Sequence, residues 1–169
     1  MIKQFALFII VLSLFSCNHN KKAVKMEKVI FHTSVCFGNC PIYHLQVNKD
    51  KSLLLYKELS SSDRHPASAK DSLKSGYYTG VASDTSFNKL TKELQALGLD
   101  TLNFNGATCC DGSLKTIIVY YNGKRKLLKS MFPPQSANKL IGTLYEICET
   151  SALQKTAKKF EVENDVPKE

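Results

Sequence analysis

Tyr43, Leu45 and Val47 alternate with Ile42, His44 and Gln46, a period of two that predicts a strand over 42–48. A second alternating run over 52–57 follows Asn48-Lys49-Asp50-Lys51, so the two runs read as a hairpin. An apolar segment over 29–35 predicts a strand ahead of it. Tyr77, Thr79 and Val81 mark a short strand over 76–81. The period then changes. Phe87, Leu90, Leu94 and Leu97 recur at intervals of three and four; Ser83 or Asp84 stands where a helix cap belongs, and Gly98 follows as a stop. The β-branched and aromatic run 114–121 turns at Asn122-Gly123, a strong hairpin signal, and returns over 124–130. Pro133-Pro134 then introduces a second helix carrying Leu140, Leu144, Ile147 and Cys148.

The segment Ser86-Phe87-Asn88-Lys89-Leu90 with Leu94 recurs as Ser136-Ala137-Asn138-Lys139-Leu140 with Leu144, each copy after a hairpin. The pattern predicts an α+β fold: an antiparallel sheet from two hairpin-plus-helix units, with both helices packed on one face. The first unit is enlarged by the Ser-rich stretch 60–75, read as a surface loop.

Lys3, the apolar run 5–12 and Ser13-Leu14-Phe15-Ser16-Cys17 form a charged start, a short apolar core and a small residue before a cysteine. The run is too short to span a bilayer. Leu14-Phe15-Ser16-Cys17 resembles a bacterial lipobox, with Phe15 bulkier than usual, which implies cleavage before Cys17 and acylation of that residue. Several acyl chains give stable anchoring, at about 0.8 kcal/mol per buried CH₂. The expected organisation is a signal peptide over 1–16, a lipidated tether over 17–28, one domain over 29–153 and a charged, frayed tail over 154–169.

Charge and cysteine content narrow the compartment and partners. Without the leader, which holds Lys3, the net charge falls from +8 to +7. The lysines are scattered, without aromatic interleaving or a nucleic-acid-binding motif, so a solvated basic surface is expected and no nucleic acid. An oxidising compartment favours disulfides. Cys148 lies on the apolar face of the second helix and reads as a buried thiol. Cys36, Cys40, Cys109 and Cys110 allow three pairings. Cys36–Cys40 is favoured, with cross-pairing between the clusters as its rival. Gly38 suits the tight turn between Cys36 and Cys40, and Pro41 suits the start of the strand that follows. A strand in that position removes the helix N-terminus that activates a thioredoxin-type cysteine.

The chain carries no nucleophile elbow, phosphate-binding glycine loop or H-E-x-x-H motif. His19 and His65 fall in the tether and the Ser-rich loop. His32 and His44 lie on strands beside the cysteine pair and would suit Cu(I) or Zn²⁺ alongside thiolates. Asp111 beside Gly112 reads first as a turn residue. His44 and Asp111 are the candidate ligand residues; no catalytic residue, cofactor or metal is assigned.

Cys36-Phe37-Gly38-Asn39-Cys40-Pro41-Ile42-Tyr43, followed by hairpin, helix, second hairpin and closing helix, resembles an uncharacterised bacterial family, domain of unknown function 6438. The resemblance spans roughly 29–152 and rests on the core C-x-G-x-C-P-x-Y; Cys109 and Cys110 match nothing in it. It implies a lipoprotein of Bacteroidota and brings no activity or catalytic residue. Lys21 and Lys22 lack the acidic character that resembles surface export, which points to the periplasmic face of the outer membrane. The resulting expectation is a non-enzymatic binding or structural domain, braced by a disulfide, held by membrane lipid through acylated Cys17 and meeting another envelope protein. The alternative is a thiol- or metal-handling protein using Cys36, Cys40 and His44.

Overall fold

The structure, a computed structural model, describes residues 23–38, 40–59, 73–104, 106, 111–150 and 152–165. The signal peptide, Cys17, His19, His65, Cys109 and Cys110 lie outside them.

Strand β1 (Met26–Thr33) leads through the cysteine motif into β2 (Ile42–Asn48) and β3 (Ser52–Glu58). Strand β4 (Gly76–Val81) precedes helix α1 (Asp84–Leu97). Strands β5 (Lys115–Tyr121) and β6 (Lys124–Ser130) form the second hairpin. A single 3₁₀ turn, Gln135–Ala137, opens helix α2 (Asn138–Cys148), and β7 (Leu153–Thr156) closes the series. Local signals act as the sequence suggests. Ser83 caps α1 by accepting a hydrogen bond from the Ser86 N–H, and Gly98 ends it at φ 64°. Asn122 and Gly123 both adopt positive φ, as a tight hairpin turn requires.

All seven strands join one antiparallel sheet in the order β6-β5-β1-β2-β3-β4-β7. This corrects the expectation of an α+β fold whose antiparallel sheet is built from two hairpin-plus-helix units. The sheet dominates and the helices are short. Strand β1 belongs to neither hairpin; it pairs with β2 on one side and β5 on the other, and welds them into one sheet. The first unit is a three-stranded meander, because β4 pairs in register with β3. The charge pattern predicts a frayed tail over 154–169, yet β7 pairs with β4 from Tyr77↔Thr156 to Gly80↔Leu153.

Both helices bury their apolar stripes against one sheet face. Leu90 and Leu94 of α1, and Leu140, Leu144 and Ile147 of α2, share a core with Phe31, Leu45, Leu55, Ile117 and Val119. The repeated helix segment therefore supplies equivalent core positions twice. The other face is also covered. Ile30 and Ile118 are register partners pointing away from this core, and both are 0 % exposed. Residues 157–165 return across that face: Phe160 packs on Tyr77, and Glu163 bonds Lys28 and Tyr120, whose strands carry the two isoleucines.

A ring-lined cleft on the second face

Period-two alternation and strand register place one residue from each strand in a row across the second face. His32 pairs with His44, His44 with Tyr56, and Tyr56 with Tyr77. Successive ring centroids lie 5.0, 5.8 and 5.0 Å apart, and Phe160 meets Tyr77 edge-on at 5.1 Å. Such spacings are those of favourable aromatic pairs. On the other side of His32 the register continues through Thr116 to Lys129.

The returning segment is held over this row by charge and backbone bonds. The Glu163 carboxylate accepts from Lys28 Nζ at 2.8 Å, the Tyr120 hydroxyl at 2.6 Å and Arg125 Nε at 3.2 Å. Burial works against that carboxylate, but these donors hold it below the usual glutamate range. Lys129 Nζ lies 2.5 Å from Asp165, and its hydrogen bond keeps the Asp165 carboxyl low. Two cavities remain beside the segment. One of about 280 Å³ is lined by His44, Tyr56, Tyr77, Phe160, Glu161, Val162 and Asn164. The other, of about 180 Å³, lies toward His32, Thr116 and Lys129 and shares His44 and Asn164.

His32 and His44 meet through their Nδ1 atoms at 2.7 Å, and His32 Nε2 lies 2.7 Å from the Glu163 carbonyl. A carbonyl only accepts, so His32 Nε2 donates. In the neutral pair His32 Nδ1 must then accept from His44 Nδ1–H, leaving His44 Nε2 unprotonated. Among the described residues nothing hydrogen-bonds that atom. Burial lowers both imidazole pKa values; the neighbouring His44 adds to the effect at His32, while Glu58 opposes it at His44.

The cysteine motif sits elsewhere, at the end of β1. Cys36 and Cys40 are joined, with their sulfurs 1.97 Å apart. The Thr33 hydroxyl donates to the Pro41 carbonyl at 2.8 Å and accepts from the Tyr43 N–H at 2.9 Å, tying both flanks of the loop together. Gly38 has φ 151°, a conformation other residues rarely adopt. The Tyr43 ring is buried against Tyr145, and its hydroxyl donates to Glu149; burial, then that carboxylate, raise its pKa. Cys36, Cys40 and Tyr43 of the motif thus serve structure.

Asp111 reaches this loop through its backbone, accepting from the Phe37 N–H at 3.1 Å. The disulfide leaves Cys36 and Cys40 without the thiolates that a soft-metal site with His44 requires, and His44 Nδ1 is engaged by His32. Among the described residues no group of three His, Cys, Asp or Glu side chains converges to hold a metal ion. Cys148 is buried, and burial pushes its thiol pKa up.

Sequence reasoning missed Tyr56, Tyr77 and Phe160 as one constellation. Alternation put each tyrosine on a face, but only cross-strand register shows that they adjoin. A signal for a covered second face was present: Val29-Ile30-Phe31 and Ile117-Ile118-Val119 are unbroken apolar runs, as in strands buried on both sides.

These features define a disulfide-closed, helix-backed antiparallel-sheet domain with a ring-lined cleft on its second face. The chain belongs to the family described as Domain of unknown function (DUF6438), which matches residues 27–152. Among curated proteins, none matches it. His44, Tyr56 and Tyr77 fall within the matched span; Phe160, Glu161 and Asn164 of the same cavity lie beyond it.

Proposed function

We propose that the protein is a lipid-anchored envelope protein whose domain binds a ligand, without catalysis, in the cleft between β2–β4 and the returning segment. The observation carrying this reading is the cavity of about 280 Å³ that the row of rings leaves beneath residues 160–164. Convergent aromatic and polar groups at a concave site are the usual form of a ligand pocket. The anchor rests on the N-terminal pattern ending at Cys17. Among the described residues no helix is long and apolar enough to cross a membrane.

The direction of β1 supports an orientation. The chain enters beside the β5–β6 turn, where the Lys25 N–H donates to Asn122 Oδ1, and the cysteine loop lies at the far end of β1. A strand of eight residues spans roughly 26 Å. On this reading the entry end is turned toward the membrane, and the disulfide loop with its 82 % exposed Phe37 lies at the opposite end of β1. The disulfide is the brace of that loop, and the loop faces the periplasm.

Metabolic labelling with an alkyne fatty acid, followed by membrane fractionation, tests the anchor. The wild-type chain takes the label and sediments with outer membrane, whereas Cys17→Ser is unlabelled and soluble. An unlabelled, soluble wild-type chain would overturn it. Hydrogen exchange in the presence of envelope extract tests the cleft. Added protection is expected over 77–80 and 160–164; protection confined to the helices would move the binding face.

A further inference from the structure

We propose that the cavity between Tyr56, Tyr77 and Phe160 is an aromatic cage for an organic ammonium group. This deepens the binding reading above and rests on it. Tyr56 and Tyr77 are inclined at 51°, and Tyr77 and Phe160 at 77°. Three rings set at such angles around one cavity wall a space on several sides, where parallel stacking would close it. A cation within about 6 Å of ring centroids is attracted by each ring's quadrupole, and several rings add their attraction.

The polar lining has the matching sign. Glu161 borders the cavity, and the Tyr56 hydroxyl donates to Glu58 at 2.8 Å, so a second carboxylate is bonded to one of the lining rings. In the neutral pair His44 presents an unprotonated Nε2 that can accept a hydrogen bond and repels no cation. Three basic groups of this face are engaged further along the sheet: Lys28 and Arg125 with Glu163, and Lys129 with Asp165. An anion would therefore meet carboxylates and ring faces here, and a neutral ligand would leave the field of both unused. Size limits the guest. About 280 Å³ lies just below the roughly 300–1,000 Å³ of drug-sized pockets, so the cage takes a head group or one side chain. A quaternary ammonium or a lysyl ammonium meets these conditions.

The test is titration of the detergent-solubilised full chain with choline chloride, with a Gly-Lys-Gly peptide, and with 3,3-dimethylbutan-1-ol, the uncharged isostere of choline. Heat and the aromatic ¹H–¹³C resonances of Tyr56, Tyr77 and Phe160 are the readouts. Saturable shifts with choline or the peptide are expected, and the stronger of the two names the source as quaternary head group or lysine. The isostere should bind at least about threefold more weakly. Phe160→Leu keeps an apolar side chain of similar bulk but removes a ring, and should weaken the cation by at least about threefold. Glu161→Gln should weaken it too. Equal binding of the isostere, or undiminished binding by Phe160→Leu, overturns the cage. So does the absence of any saturable response to either cation. If the same resonances then respond to a neutral oligosaccharide or an acidic peptide, the cleft stands as a binding site and only the ammonium assignment falls.

Discussion

His32 and His44 share one proton through their Nδ1 atoms at 2.7 Å, and the Glu163 carbonyl fixes which ring donates. One added proton can go to His44 Nε2 and leave this bond in place. A second has no acceptor except His32 Nδ1, and so breaks it. Burial already lowers both pKa values, so near neutral pH the folded chain holds fewer protons here than the unfolded chain. Stability from the pair is therefore present above the ordinary imidazole value of 6.5 and is lost as pH falls through the lowered folded values. The urea midpoint should fall between about pH 7 and pH 5. His44→Gln keeps a donor for His32 but removes a titrating group, and should flatten that slope. An equally steep slope in the variant would place the titration elsewhere.

The disulfide closes a loop with a sequence separation of only 4. Loop-closure entropy for so short a ring amounts to about 2 kcal/mol. Cys36→Ala/Cys40→Ala should therefore lower the thermal midpoint by roughly 4–8 °C, while far-ultraviolet dichroism stays that of the folded sheet. The bonds from Thr33 to Pro41 and Tyr43 lie outside the ring and hold the strand ends without it. A midpoint unchanged by the double substitution would remove the brace.

Gly80 in β4 is the close-approach point for the last strand. A Cβ there would stand 2.3 Å from the Ala152 carbonyl oxygen, a backbone atom that cannot swing aside. Gly80→Ala should push β7 off β4 and cost roughly 1–3 kcal/mol, with faster amide exchange concentrated over 153–156. Gly142 in α2 is the contrast: a Cβ there meets nothing within 4 Å. Gly142→Ala should stabilise the helix by about 0.5–1 kcal/mol. Equal denaturation midpoints for the two variants would contradict this difference in space.

Local elements were legible because their signals are local. Phe87, Leu90 and Leu94, Ser83 and Gly98 settle α1, and Asn122-Gly123 settles the second hairpin. The place of β1 between the hairpins was not legible, since pairing of His32 with both His44 and Thr116 is a long-range choice that alternation leaves open. The last segment misled through its charge. Lysines and glutamates suggested a frayed tail, yet Phe160 and Val162 recur two apart, and Glu163 finds Lys28 and Arg125 on the sheet. For the same reason the cleft was only half visible: His44 stood out as a candidate, but its neighbours are set by strand register and by a segment judged unstructured. Asp111, the other candidate ligand, contributes its carbonyl to the cysteine loop.

Glu163 is the fastening of that segment. Its carboxylate neutralises Lys28 and Arg125, whose side chains are only 28 % and 24 % exposed, and Glu163→Gln leaves both cations short of a partner. The loss lies between that of an exposed pair and that of a buried one, about 1–2 kcal/mol. Amide exchange should rise first over 157–165, with the helices unaffected. The pH dependence separates charge from packing. Because the folded pKa of Glu163 is depressed, its contribution is present above the ordinary carboxylate value of 4.5 and disappears as pH falls through the lowered folded value. Wild type and Glu163→Gln should therefore differ at pH 7 and converge in acid. If the gap persists once the carboxylate is protonated, the segment is held by Phe160 and its backbone bonds, not by this charge.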